Sequence, residues 1–226
     1  MEFVDVIWLI VRKDLRVELR SREILYTTLF FALSIVLVFS FSFVRAGVAV
    51  EDAAAGILWV AIAFSGTLAL GRAFERERQN ETLRGLLMSP AERPALYLAK
   101  LIGVLILLFA VELLVVPLVA LLFQAPLFLY PFYFAGLLIT GTIGFCAVGT
   151  LFAAMLGRAR SRDVLLPILL YPITVPVIIA GVRGTAALLQ ADADLPIARA
   201  WLSMLVFFDV VFITLALWTF EAVMTE

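Results

Sequence analysis

Residues 101–123 read LIGVLILLFAVELLVVPLVALLF, with a single charge, Glu112, near the middle. Leucine, isoleucine and valine occupy every side of any helix built from this stretch. A helix needs about 20 residues to cross a hydrocarbon core ~30 Å thick, so the run is long enough to span a bilayer. Five similar runs accompany it: Ile24–Val44, Ala53–Phe74, Phe132–Leu156, Val164–Val182 and Trp201–Glu221. The expected fold class is an all-α integral membrane protein with six transmembrane helices, residues 1–226 forming one transmembrane domain. Composition agrees. Apolar residues make up 64% of the chain, where a soluble domain has about half, and the mean hydropathy is +1.11.

The segments between the runs sort by charge. One side collects Arg12, Lys13, Arg16, Arg20 and Arg22, then Arg72, Arg76, Arg78, Arg84, Arg93 and Lys100, then Arg158, Arg160 and Arg162. The other side has only Arg45, Arg183 and Arg199 of the 17 basic residues. Basic loops stay in the cytoplasm, so this asymmetry places both termini there, as expected of a multi-pass protein of the bacterial inner membrane. The net charge of −1 carries no information about partners.

The residues that are missing exclude much chemistry. The chain has no histidine and one cysteine, Cys146, within the fourth run. Bis-histidine haem ligation, the usual zinc sites, Ser-His catalysis and an internal disulfide are therefore excluded. No Walker A sequence occurs, so the chain has no phosphate-cradling loop of its own. Ser65-Gly66 superficially resembles an intramembrane serine protease, but no histidine is present to activate the serine.

Residues 3–20 form an amphipathic pattern. At 100° per residue Val4, Ile7, Trp8, Val11, Leu15 and Leu19 fall within about 120°, opposite Asp5, Arg12, Lys13, Arg16 and Arg20. A basic helix with tryptophan on its apolar side suits the membrane interface, with Trp8, Arg12, Lys13 and Arg16 as its anchors. Asp14 and Glu18 break the pattern by falling toward the apolar side; pairing with Arg16 or Arg22, or a partner protein, are the two readings. The first apolar run is too long for a signal-peptide core and is expected to be a retained span.

Residues 75–100 are the longest polar piece. Glu75-Arg76-Glu77-Arg78 reads as a solvated helix extension, and Asn80 as the N-cap of a short helix bearing Leu83, Leu86, Leu87 and Met88. Ser89-Pro90-Ala91-Glu92 has the form of a capping box, although Pro94 favours a helix start near Arg93. Phe128, Tyr130, Phe132, Tyr133 and Phe134 read as an interfacial belt or a hydrophobic ligand surface. In the fourth run Gly141 and Gly144 share a helical face suited to close helix approach. In the fifth, Pro167, Pro172 and Pro176 each remove a helix hydrogen bond, which predicts a kinked or irregular helix. Residues 184–200 are too short to cross and return, so a re-entrant or surface segment is expected there.

Two acids sit at mid-depth, Glu112 and Asp209, with no lysine or arginine at matching depth. Burying such a charge costs about 2.5–3.5 kcal/mol on insertion scales. These acids are therefore protonated, bonded to hydroxyls or backbone, or facing water. One reading makes them polar contacts between helices or subunits. Another makes the chain a stand-alone proton-coupled carrier using both. A structural scaffold is a third.

The segment from Gly71 to Pro90, with the core Asn80-Glu81-Thr82-Leu83-Arg84-Gly85-Leu86-Leu87 and its Ser89-Pro90 ending, resembles the cytoplasmic loop of exporter-type (ABC-2-like) permeases. Arg12-Lys13-Asp14-Leu15, six spans and the series from Leu166-Pro167 to Val175-Pro176-Val177 extend the likeness. With them the whole chain is similar to the family of the membrane (permease) subunit of the haem exporter in bacterial cytochrome c maturation. The resemblance implies a permease subunit of an ABC transporter complex, without catalytic residues or a cofactor of its own. ATP would sit on a cytoplasmic ATPase subunit present in two copies, and haem would be handled by partner subunits. The expected partners are a second copy of this chain, a haem-handling membrane subunit, a small single-span subunit and a periplasmic haem chaperone. ATP hydrolysis would drive haem export or release of the loaded chaperone; the missing histidine favours release. The ATPase-coupling residues are expected among Glu77, Glu81, Leu83, Arg84, Leu86, Leu87 and Met88, the leucines entering an ATPase groove and Arg76, Arg78 and Arg84 positioning them.

Overall fold

The computed structural model describes residues 3–43, 51–73, 93–156 and 161–223. Among these, seven helices follow one another without a strand: α1 (Phe3–Ser21), α2 (Glu23–Phe43), α3 (Glu51–Ala73), α4 (Arg93–Leu122), α5 (Pro131–Met155), α6 (Arg162–Leu189) and α7 (Leu195–Val223). Helices α2 to α7 are each long and apolar enough to cross a membrane. The break between α1 and α2 falls on Arg22, whose φ of 54° lies in the left-handed region. Glu18 spans that break: its Oε1 accepts the Leu25 N–H at 2.8 Å, satisfying one of the first-turn donors of α2.

Two expectations about the elements need correction. Residues 93–100 are the first two turns of α4, so the polar piece between α3 and α4 is shorter than residues 75–100. Residues 184–200 are no separate segment. Gly184 to Leu189 complete α6, Leu195 begins α7, and Asp194 starts that helix by accepting the Ile197 N–H at 2.9 Å. Helix α6 also runs uninterrupted through Pro167, Pro172 and Pro176. Each proline leaves one gap in the hydrogen-bond ladder, and α3, α5 and α7 pack along the helix.

α3 and α5 are the most buried spans, and α2 and α7 the least. α5 touches α3, α4, α6 and α7, and its glycines admit side chains of α3 and α7. Gly141 and Gly149 face Trp59 and Leu70 of α3, whereas Gly136 and Gly144 face Leu202 and Phe208 of α7. Gly141 and Gly144 thus serve two different neighbours and not one shared face. The tightest knot is Trp59. Its ring lies against both Gly141 of α5 and Gly181 of α6, and its Nε1 donates to Thr185 Oγ1 at 3.0 Å. A Cβ at Gly141 would sit 2.1 Å from the indole, which is pinned on two sides and has no free rotamer to adopt. Gly141→Ala is therefore expected to cost at least about 1–3 kcal/mol, the usual range for overpacking. The thermal unfolding midpoint in mild detergent should fall, and adding Trp59→Leu should recover part of the loss. An unchanged midpoint for the single variant would mean the indole is not fixed there.

The interior divides into two apolar clusters. One includes Trp59, Val115, Leu127, Leu137, Val177, Leu189 and Leu205, next to the α4–α5 and α6–α7 turns. The other includes Ile10, Val11, Leu70, Tyr97, Phe145, Leu170 and Phe220, at the end where α1 packs. Buried polar residues sit between them, at least one from each of α3 to α7: Ser65, Glu112, Thr142, Thr174 and Asp209.

Candidate functional site

Two regions carry the polar chemistry of the described residues: the α1 end of the bundle, where α3 stops and α4 starts, and the polar level in mid-bundle.

At the α1 end, α1 lies against α4. Its inward side is Ile10 and Val11, with Val6, Ile7 and Leu15 partly covered, while Val4, Trp8 and Leu19 face outward. The apolar stripe read from the sequence therefore divides. Ile7, Val11 and Leu15 pack on protein, and Trp8 at 63% exposure remains available to the interface with Arg12, Lys13 and Arg16. This also explains the two misplaced acids. Asp14 Oδ2 accepts from Lys100 Nζ of α4 at 2.7 Å, and its Oδ1 lies 3.0 Å from Lys13. Glu18 caps α2 as described. Asp14 thus engages Lys100 of α4 and Lys13 of its own helix. Its angular position on the helix was the only sequence signal for this contact.

The end of α3 is held at three successive residues. Leu70 presses its side chain onto the backbone of Gly149 in α5. The carbonyls of Leu70 and Gly71 accept hydrogen bonds from Arg162 Nη2 of α6, that to Leu70 at 3.1 Å. Arg72 Nη1 lies 3.2 Å from Glu23 Oε1 of α2. Arg162 is only 5% exposed. The proposed coupling residues Glu77, Glu81, Leu83, Arg84, Leu86, Leu87 and Met88 follow this anchored turn in the chain and lie outside the described residues, as does the capping box at 89–92.

In mid-bundle, Glu112 of α4 is 3% exposed, and its Oε1 accepts the Thr142 hydroxyl of α5 at 2.5 Å. Its other oxygen has no hydrogen-bond partner among the described residues. Asp209 of α7 is 8% exposed, with Oδ1 equally unpartnered and lying 2.6 Å from where a Gly144 Cβ would stand. Thr142 and Gly144 are two residues apart on α5, so they point about 200° apart. The helix stands between the two acids, which do not form a pair. Hydroxyl bonding is the member of the sequence-derived alternatives that the geometry assigns to Glu112. Thr142 was not singled out from sequence, since a threonine inside an apolar helix has no distinguishing pattern.

A model of the CcmB protein family matches residues 5–225. The chain belongs to the CcmB family. Curated relatives include the "Heme exporter protein B" of Escherichia coli (strain K12), of Escherichia coli O157:H7 and of Shigella flexneri, each 34% identical over 96 residues. That stretch is 42% of this chain and 44% of each relative, so the alignment spans less than half their length. Family membership and six apolar helices together make this a multi-pass membrane protein. The cytochrome c maturation family expected from the loop and the proline series is the one that matches.

Proposed function

We propose that this chain is the membrane-spanning subunit of an ABC-type complex that serves haem export in cytochrome c maturation. The observation that carries the reading is the CcmB match over residues 5–225 of a chain whose described residues are almost wholly membrane helix. The relatives' printed name, Heme exporter protein B, supports haem as the cargo of the complex. Charge asymmetry supports an inner-membrane orientation with both termini cytoplasmic. In this orientation α1, the end of α3 and the start of α4 line the cytoplasmic side, and residues 74–92 connect α3 to α4 on the side that the ATPase approaches. Two copies of this chain pair with two ATPase subunits, a haem-handling membrane subunit, a small single-span subunit and the periplasmic haem chaperone. No histidine is available to pass haem along a route through this chain. Its role is the relay: ATP-driven displacement of the 74–92 connection is transmitted through α3 and α4, and the neighbouring haem-handling subunit releases the loaded chaperone.

Complementation tests the function itself. In a bacterium deleted for its own CcmB-family protein, the chain together with its cognate partners should restore c-type cytochromes, seen as haem-stained bands that survive denaturing electrophoresis. Failure to restore them, with the chain correctly inserted, would remove the haem assignment.

The polar level tests the relay against the proton-carrier reading. In Glu112→Gln the amide oxygen still accepts from Thr142, so a contact role survives, whereas a proton-exchanging group is lost. Cytochrome c formation by Glu112→Gln is expected to match the wild type across external pH. A pH dependence abolished by this change would support the carrier reading.

A further inference from the structure

We infer that Arg162 is the positioning residue through which the end of α3 moves α6. The inference rests on the coupling role proposed for residues 74–92, the segment that follows α3.

Leu70, Gly71 and Arg72 are consecutive, and each is held by a different helix: α5 through Gly149, α6 through Arg162 and α2 through Glu23. The last turn of α3 is therefore a distribution point. A displacement entering from residue 73 onward reaches three other spans within one helical turn. The three grips are not equivalent. The Leu70 contact is apolar and has no preferred direction. The Arg72–Glu23 pair is 39% and 63% exposed, and exposed pairs of this kind contribute little. The Arg162 contact is buried and directional. Its guanidinium donates to two successive backbone carbonyls of α3, and a hydrogen bond from a charged donor is stronger than a neutral one. Burying a guanidinium is costly unless it is hydrogen-bonded, so the contact strongly disfavours separation of the two helix ends.

Arg162 also stands at the first residue of α6, the helix whose glycine, Gly181, and Thr185 hold the Trp59 ring of α3 further along. α3 and α6 are thus fastened at three levels, by Arg162 at the α1 end, by the Thr67 hydroxyl donating to Tyr171 Oη at 3.2 Å, and by Trp59 nearer the α6–α7 turn. Of these, Arg162 is the fastening nearest to where a displacement from residue 73 onward enters, so it passes movement at this part of α3 directly to the start of α6. Arg162 converts displacement of α3 into displacement of α6.

The test uses the complete membrane complex purified with its ATPase and reconstituted in lipid nanodiscs with haem-loaded chaperone. Wild type, Arg162→Met, Arg162→Lys and Arg72→Met are compared for ATPase recovered, ATP hydrolysed, chaperone released, and hydrogen exchange of residues 66–73. Arg162→Met is expected to retain the ATPase and hydrolyse ATP near the wild-type rate, while chaperone released per ATP falls about ten-fold, within the range of ordinary coupling energies. Exchange at residues 66–73 should accelerate. Arg162→Lys, with its charge but without the guanidinium nitrogen that makes both contacts, should fall between, and Arg72→Met should behave as wild type. A wild-type yield per ATP in Arg162→Met overturns the inference, as does loss of the ATPase in proportion to the loss of release, because the residue then only shapes the docking surface. If Arg162→Met does not accumulate, Arg162→Lys decides: a reduced yield per ATP supports the inference and a wild-type yield overturns it. A wild-type complex that recovers no ATPase overturns the coupling reading and this inference with it. Failure confined to the Arg162 variants leaves the coupling reading standing.

Discussion

Asp14→Ala is expected to destabilise the packing of α1 on α4 by about 2 kcal/mol, and Lys100→Met by about 1 kcal/mol or less, although both remove the same ion pair. The asymmetry follows from burial. Lys100 has a side chain only 4% exposed, whereas that of Asp14 is 26% exposed and keeps Lys13 at 3.0 Å. Removing the carboxylate takes away a counter-charge at 2.7 Å from a buried ammonium, which costs about what a hydrogen bond to a charged group contributes. Removing the ammonium leaves a carboxylate with water and a second lysine, which is cheap. The double variant Asp14→Ala with Lys100→Met should recover most of the loss, because neither charge of the pair remains. Thermal unfolding in mild detergent, with protease access to residues 3–21, measures all three. Equal losses in the two single variants would mean that Lys100 is hydrated and that α1 is held by its apolar side alone.

The second large effect is expected between α3 and α4. Leu86→Glu should weaken recovery of the ATPase by about 30-fold, the equivalent of one interface anchor worth ~2 kcal/mol, while the six spans still insert. The proposed contact is of the helix-in-groove kind. Leu83, Leu86 and Leu87 recur at i, i+3, i+4, and a carboxylate at the middle position would enter an apolar groove without a partner. Leu86→Met, which keeps the apolar character, should retain binding. Undiminished ATPase recovery with Leu86→Glu would place these leucines on the membrane surface instead.

The six spans were legible because the bilayer imposes one length and one composition, and residues 101–123 satisfy both without ambiguity. Where helices ended was less so. Arg93 to Lys100 continue α4 although they carry two basic residues, because hydropathy marks the part of a helix that suits lipid, not the part that is helical. The same reason hid the ends of α6 and α7, where the apparent surface segment is simply helix at the rim. The prolines of α6 lie inside one helix from Arg162 to Leu189, against which α3, α5 and α7 pack.

The polar contacts were legible only in part. Asp14 was visibly on the wrong side of its helix, but its partner lies 86 positions away in the chain. Arg162 is indistinguishable by charge from Arg158 and Arg160 beside it; only the approach of the α3 end gives it a separate role. Trp59 meets Gly141 and Gly181 from two other helices, and no periodicity within α3 signals that meeting. Glu112 and Asp209 were found because charge is rare at mid-depth, yet sequence could not show that α5 separates them.

A relay through α3 and α4 requires a soluble engine to drive it. The direct measurement is affinity purification of the tagged wild-type chain, coexpressed with its genomic neighbours, in mild detergent, followed by an ATPase assay. The expected result is recovery of a soluble ATPase in fixed proportion to the chain, with hydrolysis that follows the complex through size exclusion. Recovery of the inserted, folded chain alone, with no ATPase and no hydrolysis, would contradict the relay.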